Sequence, residues 1–491
     1  MSLCLASHAT SSPGISGSPR AWSRRAKSMR IVCIMIDTLR YDFFKMGGAR
    51  REYAPDLDDF AREACWFDHH YVSSFPTVPN REDIMTGRYS FPHHGWAPLP
   101  EDAVPMAQIL SEAGYLTQLI CDTPNLVGRG LGYQRGFQGW NWIRGNENDV
   151  VMTRFNKPIR SAMPKNKTRI DEIYFGHYLA DLQQWINPNI ENEQETFIAR
   201  TAMSVSQWIE DNYRCKDFLL WVDTFEVHEP YIPPKYLQDK YDPDYRGTPM
   251  IYPCYGYADA YTPEEIRNMA ALYAGEVDLT SKWVCYILRK LADVGIYDDC
   301  LICIMSDHGD YVGEHNRMGK LLLTGPKRNV FTPWIQHDEV NRIPLMIKMP
   351  KQTKGRRIAQ IVQPVDYLPT ILDLCGVKSD LTFDGFSLRP VLEGQRVKWP
   401  RTQAYSSNSI RARWPNFWTA INTPDWALHL GGEEADGPVL FDRKRDPNNL
   451  ENVAGEHPAQ VQRMGREYIR FLESVNCAPE KIALMEQKLR A

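Results

Sequence analysis

The chain contains no run of about 18 apolar residues, the length that a membrane-spanning helix requires. It also has no strong excess of one charge, because its formal net charge is only -4. That balance excludes a nucleic-acid surface built on bulk basicity. We therefore expect no membrane and no nucleic-acid partner, and small molecules are the favoured ligands.

A framework of paired cysteines is missing as well. The cysteines number eleven, an odd count, and several of them lie inside apolar runs: Cys33, Cys121, Cys285 and Cys303. This pattern is typical of reduced thiols that fill a core, and it excludes a small secreted scaffold held by disulfides. We predict a cytoplasmic protein.

Residues 1–28 are rich in Ser, Ala and Arg and have no apolar segment of the length that a signal peptide needs. We predict a disordered N-terminal tail. An organellar transit peptide is the alternative, because the tail has arginines and no acidic residue.

What the sequence does contain is a series of short apolar runs that each end in aspartate. The four runs are 30–37, 115–122, 217–223 and 300–307. Helical patterns lie between them, at 54–65, 104–114, 196–213 and 264–295. Continuous apolar strands that alternate with helices predict an α/β fold with a doubly wound, mostly parallel sheet, which we assign to residues 29–385.

The pattern changes towards the C-terminus. Short strand-like runs with turns follow one another from about 400 to 445, and a helix is expected near 456–474. We predict that residues 386–491 form a smaller antiparallel sheet with a helix.

Ligands of open α/β sheets bind beyond the carboxyl ends of the strands. Asp37, Asp122, Asp223 and Asp307 are all expected on that rim, although a single aspartate there is more often only a turn or helix-cap residue. Asp307 is followed directly by His308, and carboxylate with imidazole suits a divalent cation. With Asp37 these residues supply three ligands and leave one position open, as in catalytic metal sites.

The segment "TVPNREDIMTG", residues 77–87, predicts a short helix with Pro79 in its first turn and Gly87 as its stop. Thr77 then lies at the positive end of the helix, where a hydroxyl next to a metal becomes a nucleophile. Arg81, four residues on, lies on the same face and is expected to clamp the oxygens of an anion. A helix cap with a solvated arginine is the structural alternative.

Two further residues fit a charged transition state. His228 follows a strand end in a proline-rich loop and is a candidate proton donor to a leaving oxygen. Lys320 ends the loop "GEHNRMGK" and is a candidate to balance negative charge. Taken alone, each has an ordinary structural explanation as a loop residue and a solvated side chain.

The order and number of the motifs resemble those of the sulfatase family within the alkaline phosphatase superfamily, from about residue 30 to about 475. The matching stretches include "IDTLRYD", "TVPNREDIMTGR", "DTFEVHEPYIPP", "SDHGDYVGEHNRMGK", "VDYLPTILDLCGV" and "LFDRKRDPNNLENVA". The resemblance implies an esterase with a metal-bound nucleophile in a C/S-x-P-x-R motif. It places Thr77 at the nucleophile and Arg81 at the fixed arginine. It also implies Asp37, Thr77, Asp307 and His308 as metal ligands, and His228 and Lys320 as contacts of the anion.

Three departures from the family pattern point away from sulfate chemistry. Sulfatases oxidise Cys or Ser to formylglycine, and threonine cannot give that aldehyde because its β-carbon carries a methyl group, so no formylglycine is expected. Thr38 follows Asp37 where the family often has a second acid, which resembles the family's single-metal phosphonate and phosphodiester hydrolases. The G-K-W-H stretch that grips sulfate is replaced by "CDTPN", where Asp122 or Asn125 is a candidate substitute.

These residues predict a hydrolase of phosphodiesters or phosphonate monoesters that works through covalent Thr77 and a divalent ion, Mn, Zn or Ca. The alternatives are a sulfuric ester hydrolase without formylglycine and a non-catalytic anion-binding homologue. Residues left open as second-metal or substrate contacts are Asp223, His315, Asp122 and Asn80, with Asp223, His228 and His315 as the candidate second site. The partner is a small anionic ester, and homo-oligomerisation is left open.

Overall fold

The computed structural model describes residues 27–147, 149, 167, 173–174, 177–178, 190, 192–324, 330–332, 334–410, 417–432 and 437–490. The predicted tail lies outside these residues except for Lys27 and Ser28, which hydrogen-bond to the carbonyls of Cys375 and Lys216. No helix among the described residues is long and apolar enough to cross a membrane.

A central sheet of eight strands, in the order β15-β2-β14-β9-β1-β7-β3-β4, forms the core of the fold. Its strands are β1 (Arg30–Ile36), β2 (Cys65–His70), β3 (Leu116–Cys121), β4 (Gly139–Trp142), β7 (Phe218–Thr224), β9 (Cys300–Ser306), β14 (Leu345–Lys348) and β15 (Arg356–Val362). β14 runs antiparallel to both of its neighbours, and all other pairs are parallel. The predicted α/β fold with a mostly parallel sheet is confirmed.

Helices cover both faces of this sheet. They are α1 (Pro55–Ala61), α2 (Thr77–Thr86), α3 (Met106–Glu112), α4 (Pro124–Val127), α5 (Phe197–Asn212), α6 (Lys235–Tyr241), α7 (Pro263–Asp293), α8 (Asp338–Asn341), α9 (Tyr367–Cys375) and α10 (Arg389–Leu392). Successive β1 residues pack into opposite apolar cores, with Val32 and Ile34 on one face and Ile31 and Cys33 on the other. Burial on both faces explains why the strands read as continuous apolar runs.

The C-terminal part forms a separate antiparallel sheet of four strands in sequence order. Its strands are β16 (Ala404–Ser407), β17 (Trp418–Asn422), β18 (Trp426–Gly431) and β19 (Val439–Asp442), followed by helices α11 (Pro458–Ser474) and α12 (Pro479–Arg490). The predicted C-terminal sheet of short strands and its first helix are confirmed, whereas α12 was not foreseen. The division at residue 385 stays a prediction.

Smaller strand pairs complete the described elements. They are β5 (Ile173–Tyr174) with β6 (His177–Tyr178); β8 (Gly256–Tyr257) and β10 (Tyr311–Val312) with β11 (Arg317–Gly319); and β12 (Leu322–Thr324) with β13 (Val330–Thr332). Within the central sheet, Ile36 at the end of β1 pairs with Thr224 of β7 and Ser306 of β9. The residues that follow these strands therefore meet at one edge of the sheet.

Candidate active site

Helix α2 begins at Thr77, as its sequence predicts. Gly87 ends it in a left-handed conformation (φ 67°), and the Gly87 N–H donates to the carbonyl of Asp83 at 2.8 Å. The helix start buries Thr77, whose exposed fraction is 3%. Its hydroxyl oxygen lies 3.3 Å from Nε2 of His308. The hydroxyl and the imidazole, far apart in sequence, are therefore neighbours at the edge of the sheet.

Asp37, Asp307 and His308 converge at this edge. One ligand atom from each lies within 4.8 Å of the other two, and all three residues are buried. Among the described residues this is the one group of three His, Cys, Asp or Glu side chains with that spacing. Its mixed oxygen and nitrogen donors fit a hard or borderline divalent cation.

The ring of His308 is oriented for this role by a backbone contact. Its Nδ1 lies 2.9 Å from the carbonyl oxygen of Gly309, which makes Nδ1 the N–H donor and leaves the lone pair of Nε2 facing Asp37, Asp307 and Thr77. Burial lowers the pKa of His308 to about 4, although the Asp307 charge opposes that shift. The imidazole is thus neutral at pH 7, as a metal ligand must be.

Of the two carboxylates, Asp37 keeps an oxygen to which no group of the described residues donates. Asp37 Oδ2 is buried and accepts no hydrogen bond, although an Arg81 nitrogen lies 3.1 Å away. Burial, together with the charge of Asp307, raises the pKa of Asp37 well above its ordinary value. For Asp307 burial acts in the same direction, but it is outweighed by His308, which is protonated at the low pH where Asp307 titrates, and by Arg81, so that the pKa of Asp307 is lowered. A cation at this position would satisfy the orphaned oxygen and offset the repulsion between the two acids.

Arg81 is held by three carboxylates. Its Nε lies 3.0 Å from Asp223 Oδ2, its Nη2 donates to Asp223 Oδ1 at 2.8 Å, and its Nη1 donates to Asp307 Oδ2 at 2.6 Å. Nη1 also donates to the backbone carbonyl of Thr77 at 3.1 Å. The guanidinium therefore faces metal-ligand candidates and the helix start. Its predicted role as a clamp on the anion stays a prediction.

Thr38 and Tyr273 support the same centre. The sequence identified Thr38 only as a departure from the family pattern, and it did not identify Tyr273. The Thr38 hydroxyl donates to Asp37 Oδ1 at 2.7 Å, and its backbone N–H donates to Asp307 Oδ1 at 3.0 Å. Thr38 adopts a left-handed backbone conformation (φ 60°), which is unfavourable for a β-branched residue. The Tyr273 hydroxyl donates to its carbonyl at 2.7 Å and so helps to hold it there. No sequence signal reports such a conformation.

Lys320 and His228 take different places around the centre. Lys320 is buried, and its Nζ lies 3.4 Å from Nε2 of His308. His228 lies on the loop after β7, where the N–H of Val227 donates to the carbonyl of Asp37 at 2.9 Å. Nδ1 of His228 lies 2.7 Å from the Glu229 carbonyl, and its ring stacks on Phe225 at 4.1 Å. Lys320 therefore contacts His308, whereas the loop that carries His228 contacts the backbone of Asp37.

Asp122, which follows β3, and Asp223, in β7, both accept hydrogen bonds from other groups of the protein. Asp122 accepts hydrogen bonds from the hydroxyls of Thr201 and Thr224 and from the Phe225 N–H, at 2.7, 3.0 and 2.6 Å. Asp223 lies within β7 rather than after it and binds Arg81. Asp122 therefore anchors the loop that follows β7, and its role as a substrate contact stays untested.

Asn80 and His315, the other candidates, have contrasting surroundings. The Asn80 amide is fully buried on α2, and neither its nitrogen nor its oxygen has a hydrogen-bond partner among the described residues. His315 instead contacts Glu339 and His337: its Nε2 lies 3.3 Å from Glu339 Oε1, and its ring stacks on that of His337 at 3.7 Å. In the described part of the chain, Asp223, His228 and His315 do not form a group with metal-ligand spacing.

The family model for sulfatases matches residues 30–377, which include every side chain of this centre. The chain belongs to the sulfatase family. A second model, for the C-terminal region of N-sulphoglucosamine sulphohydrolase, matches residues 328–473. The predicted membership of this family, within the alkaline phosphatase superfamily, is confirmed, and the chain is an ester hydrolase of that family.

Curated relatives of this sulfatase-family hydrolase have diverse names. Arylsulfatase K of Xenopus laevis is 24% identical over 84% of this chain and 76% of its own length. The multifunctional alkaline phosphatase superfamily protein PehA of Trinickia caryophylli is 24% identical over 87% of this chain and 91% of its own. Among solved structures, the phosphonate monoester hydrolase of Agrobacterium radiobacter is 19% identical. It has a TM-score of 0.68 and covers 91% of this chain and 95% of its own. These similarities leave the substrate unresolved.

Proposed function

We propose that this sulfatase-family hydrolase cleaves phosphodiesters or phosphonate monoesters by direct attack of Thr77. The observation that carries the proposal is the buried Thr77 hydroxyl at the start of helix α2, 3.3 Å from Nε2 of His308 in the Asp37–Asp307–His308 group. Threonine supports phosphorus chemistry because its methylated β-carbon rules out the aldehyde of formylglycine.

Asp37, Asp307 and His308 would hold a divalent ion, Mn, Zn or Ca, with Thr77 at its open position. Such an ion supplies Lewis-acid stabilisation of negative charge and favours deprotonation of a neighbouring hydroxyl. The positive end of helix α2 acts in the same direction on the Thr77 oxygen.

The reaction proceeds in two displacements at phosphorus. The Thr77 hydroxyl loses its proton to solvent and its oxygen forms a bond to phosphorus while the bond to the leaving alcohol breaks. The leaving oxygen takes a proton from protonated His228. Nδ1 of His228 donates to the Glu229 carbonyl, which fixes the orientation of the ring. Water then attacks phosphorus and gives a proton to His228, while the bond from phosphorus to the Thr77 oxygen breaks and that oxygen takes a proton from solvent.

Lys320 is proposed to balance the charge of the ester. A phosphodiester, a phosphonate monoester and a sulfate monoester are all monoanions, and Lys320 supplies one positive charge beside His308. The Asn80 amide is proposed as a further substrate contact, because a buried amide without partners is costly unless a ligand supplies them. The roles of Asp122 and His315 at the substrate remain predictions.

A sulfuric ester hydrolase that uses Thr77 directly is the second candidate. It is favoured by the names of relatives such as the choline-sulfatase of Rhizobium meliloti, which is 25% identical over 87% of this chain. This candidate differs from the first only in the atom that Thr77 attacks.

Steady-state assays separate the candidates. The purified protein is supplied with Mn²⁺, Zn²⁺ or Ca²⁺ and assayed with aryl esters of four kinds: a phosphodiester, a phosphonate, a phosphomonoester and a sulfate. We expect kcat/KM to be highest for a monoanionic phosphorus ester and to be lost in Thr77→Ala. Sulfate turnover that exceeds the others and survives Thr77→Ala would overturn the proposal. Absence of any turnover and of bound metal would favour a non-catalytic anion-binding homologue.

A further inference from the structure

Four of the five N–H groups of the Arg81 guanidinium donate to groups of the protein itself. A guanidinium has five N–H donors. Those of Nη1 are used by the Thr77 carbonyl and by Asp307, and Nε and one N–H of Nη2 bind Asp223. The remaining position on Nη2 faces Asp37 Oδ2 at 3.1 Å. The arginine is therefore enclosed by groups of the protein itself.

Asp223 is the rigid member of this arrangement. It is the penultimate residue of β7, where it pairs in register with Met35 of β1 and Cys121 of β3. Its carboxylate accepts further hydrogen bonds from the Thr123 hydroxyl at 2.7 Å and from the Trp221 indole at 3.3 Å. A strand interior and two additional donors fix both oxygens, so that the carboxylate can hold the guanidinium in one place.

The charges around Arg81 explain the role of Asp223. Ionised Asp37, Asp223 and Asp307 carry three negative charges, whereas Arg81 and Lys320 each carry one positive charge. Asp223 supplies the negative charge that balances the guanidinium. If Asp223 were neutral, the guanidinium would be balanced by Asp37 and Asp307 alone, and a cation would have to compete with it for their oxygens.

We infer that Asp223 is a positioning residue that acts through Arg81. It draws the guanidinium to one side, keeps the charge of Asp37 and Asp307 for the metal, and fixes the helix start through the Thr77 carbonyl. The inference rests on the proposed function only in requiring the metal.

Metal binding to the full-length protein tests this role without any substrate. Protein freed of metal by a chelator is titrated with Mn²⁺ in a calorimeter, as wild type, Asp223→Asn and Asp122→Asn. The last variant is a matched control, because Asp122 is an equally buried acid at the end of the neighbouring strand and its bonds go to Thr201, Thr224 and Phe225. We expect Asp223→Asn to weaken Mn²⁺ binding about 10–100-fold, and Asp122→Asn to change it less than about threefold.

A double-mutant cycle shows whether the effect passes through Arg81. In an Arg81→Lys background, Asp223→Asn should weaken binding by clearly less than it does in the wild type. Equal effects in the two backgrounds, or equal losses in Asp223→Asn and Asp122→Asn, would overturn the inference. If Asp223→Asn does not fold, Thr123→Val, which removes one donor to Asp223, must weaken binding in the same direction.

The outcomes also separate this inference from the proposed function. Loss of Mn²⁺ affinity in Asp223→Asn without turnover of phosphorus esters by the wild type would support the inference and reject the function. Turnover of phosphorus esters by the wild type, together with unchanged Mn²⁺ affinity in Asp223→Asn, would support the function and reject the inference. Failure of the wild type to bind Mn²⁺, Zn²⁺ or Ca²⁺ would contradict both.

Discussion

Two pairs of buried aspartates lie at the same edge of the central sheet but have different surroundings. Asp37 and Asp307, after β1 and β9, lie beside His308 and Thr77, and Asp37 keeps an oxygen that accepts no hydrogen bond. Asp122 and Asp223, at the ends of β3 and β7, are bound by hydroxyl, amide, indole and guanidinium donors of the protein. An aspartate at the end of an apolar strand is therefore a ligand candidate in one pair and a structural anchor in the other. The contacts that each aspartate makes with distant parts of the chain determine which role it has.

The largest expected effect is the contrast between replacing one aspartate of each pair by asparagine. Asp37→Asn removes a ligand candidate, so we expect kcat/KM for an aryl phosphodiester to fall roughly 10²–10³-fold and Mn²⁺ affinity to be lost. Calorimetry and steady-state kinetics provide the measurements.

Asp122→Asn is the control for that experiment, because it removes the same charge from the neighbouring part of the sheet edge. Equal losses of Mn²⁺ affinity in Asp37→Asn and Asp122→Asn would show that the two pairs do not differ in the way described here.

A pH experiment tests the second pair through Asp122, because the protonation of its carboxyl changes the free energy of unfolding. Burial raises the pKa of Asp122 from 3.8 to about 6. A carboxyl whose folded-state pKa is raised contributes stability that is fully present below pH 3.8 and is lost as the pH rises through about 6. Relative to Asp122→Asn, which does not titrate, the wild type should lose about 1–3 kcal/mol of unfolding free energy between pH 4 and pH 8.

Urea unfolding of both proteins at the two pH values measures this difference. A gap between wild type and Asp122→Asn that stays constant would mean that the carboxyl of Asp122 ionises as easily in the folded protein as in the unfolded chain.

The smallest expected effect contrasts two neighbours on helix α2. Arg81 is bound by buried acids, whereas the next residue, Glu82, pairs with His94, whose side chain is 34% exposed. The hydrogen bond to Glu82 raises the pKa of His94 from 6.5 to about 9. Stability from this pair is fully present below pH 6.5 and is lost as the pH rises through about 9. Solvent screening limits it to about 1 kcal/mol.

Thermal unfolding of wild type and His94→Gln at pH 6.5 and pH 10 checks this prediction. The variant should be less stable than the wild type at the lower pH only. A difference of the same size at both values would contradict the proposed ion pair.

The sequence predicts much of what local chemistry determines. Pro79 and Gly87 mark helix α2, the apolar runs mark β1, β3, β7 and β9, and the residues after β1 and β9 give the ligand candidates. These features depend on backbone preferences and on burial, which are written into neighbouring residues.

What the sequence does not show are contacts across long separations. Arg81 meets Asp223 and Asp307, which are 142 and 226 residues away in the chain. His315 lies close to His308 in sequence, but the turn with Gly313 (φ 119°) and His315 (φ 54°) places it beside Glu339 instead. Tertiary packing decides which partner each of these side chains meets, so the partners cannot be derived from sequence spacing alone.

The central claim is that Thr77 itself attacks the ester. The most direct measurement is rapid quenching of the metal-loaded protein with an aryl phosphodiester, followed by mass spectrometry of the peptide that contains Thr77. The account predicts a phosphorus ester on Thr77 that forms with release of the first alcohol, persists in Thr77→Ser on serine and is absent in Thr77→Ala. An unmodified peptide, together with full turnover by Thr77→Ala, would contradict it.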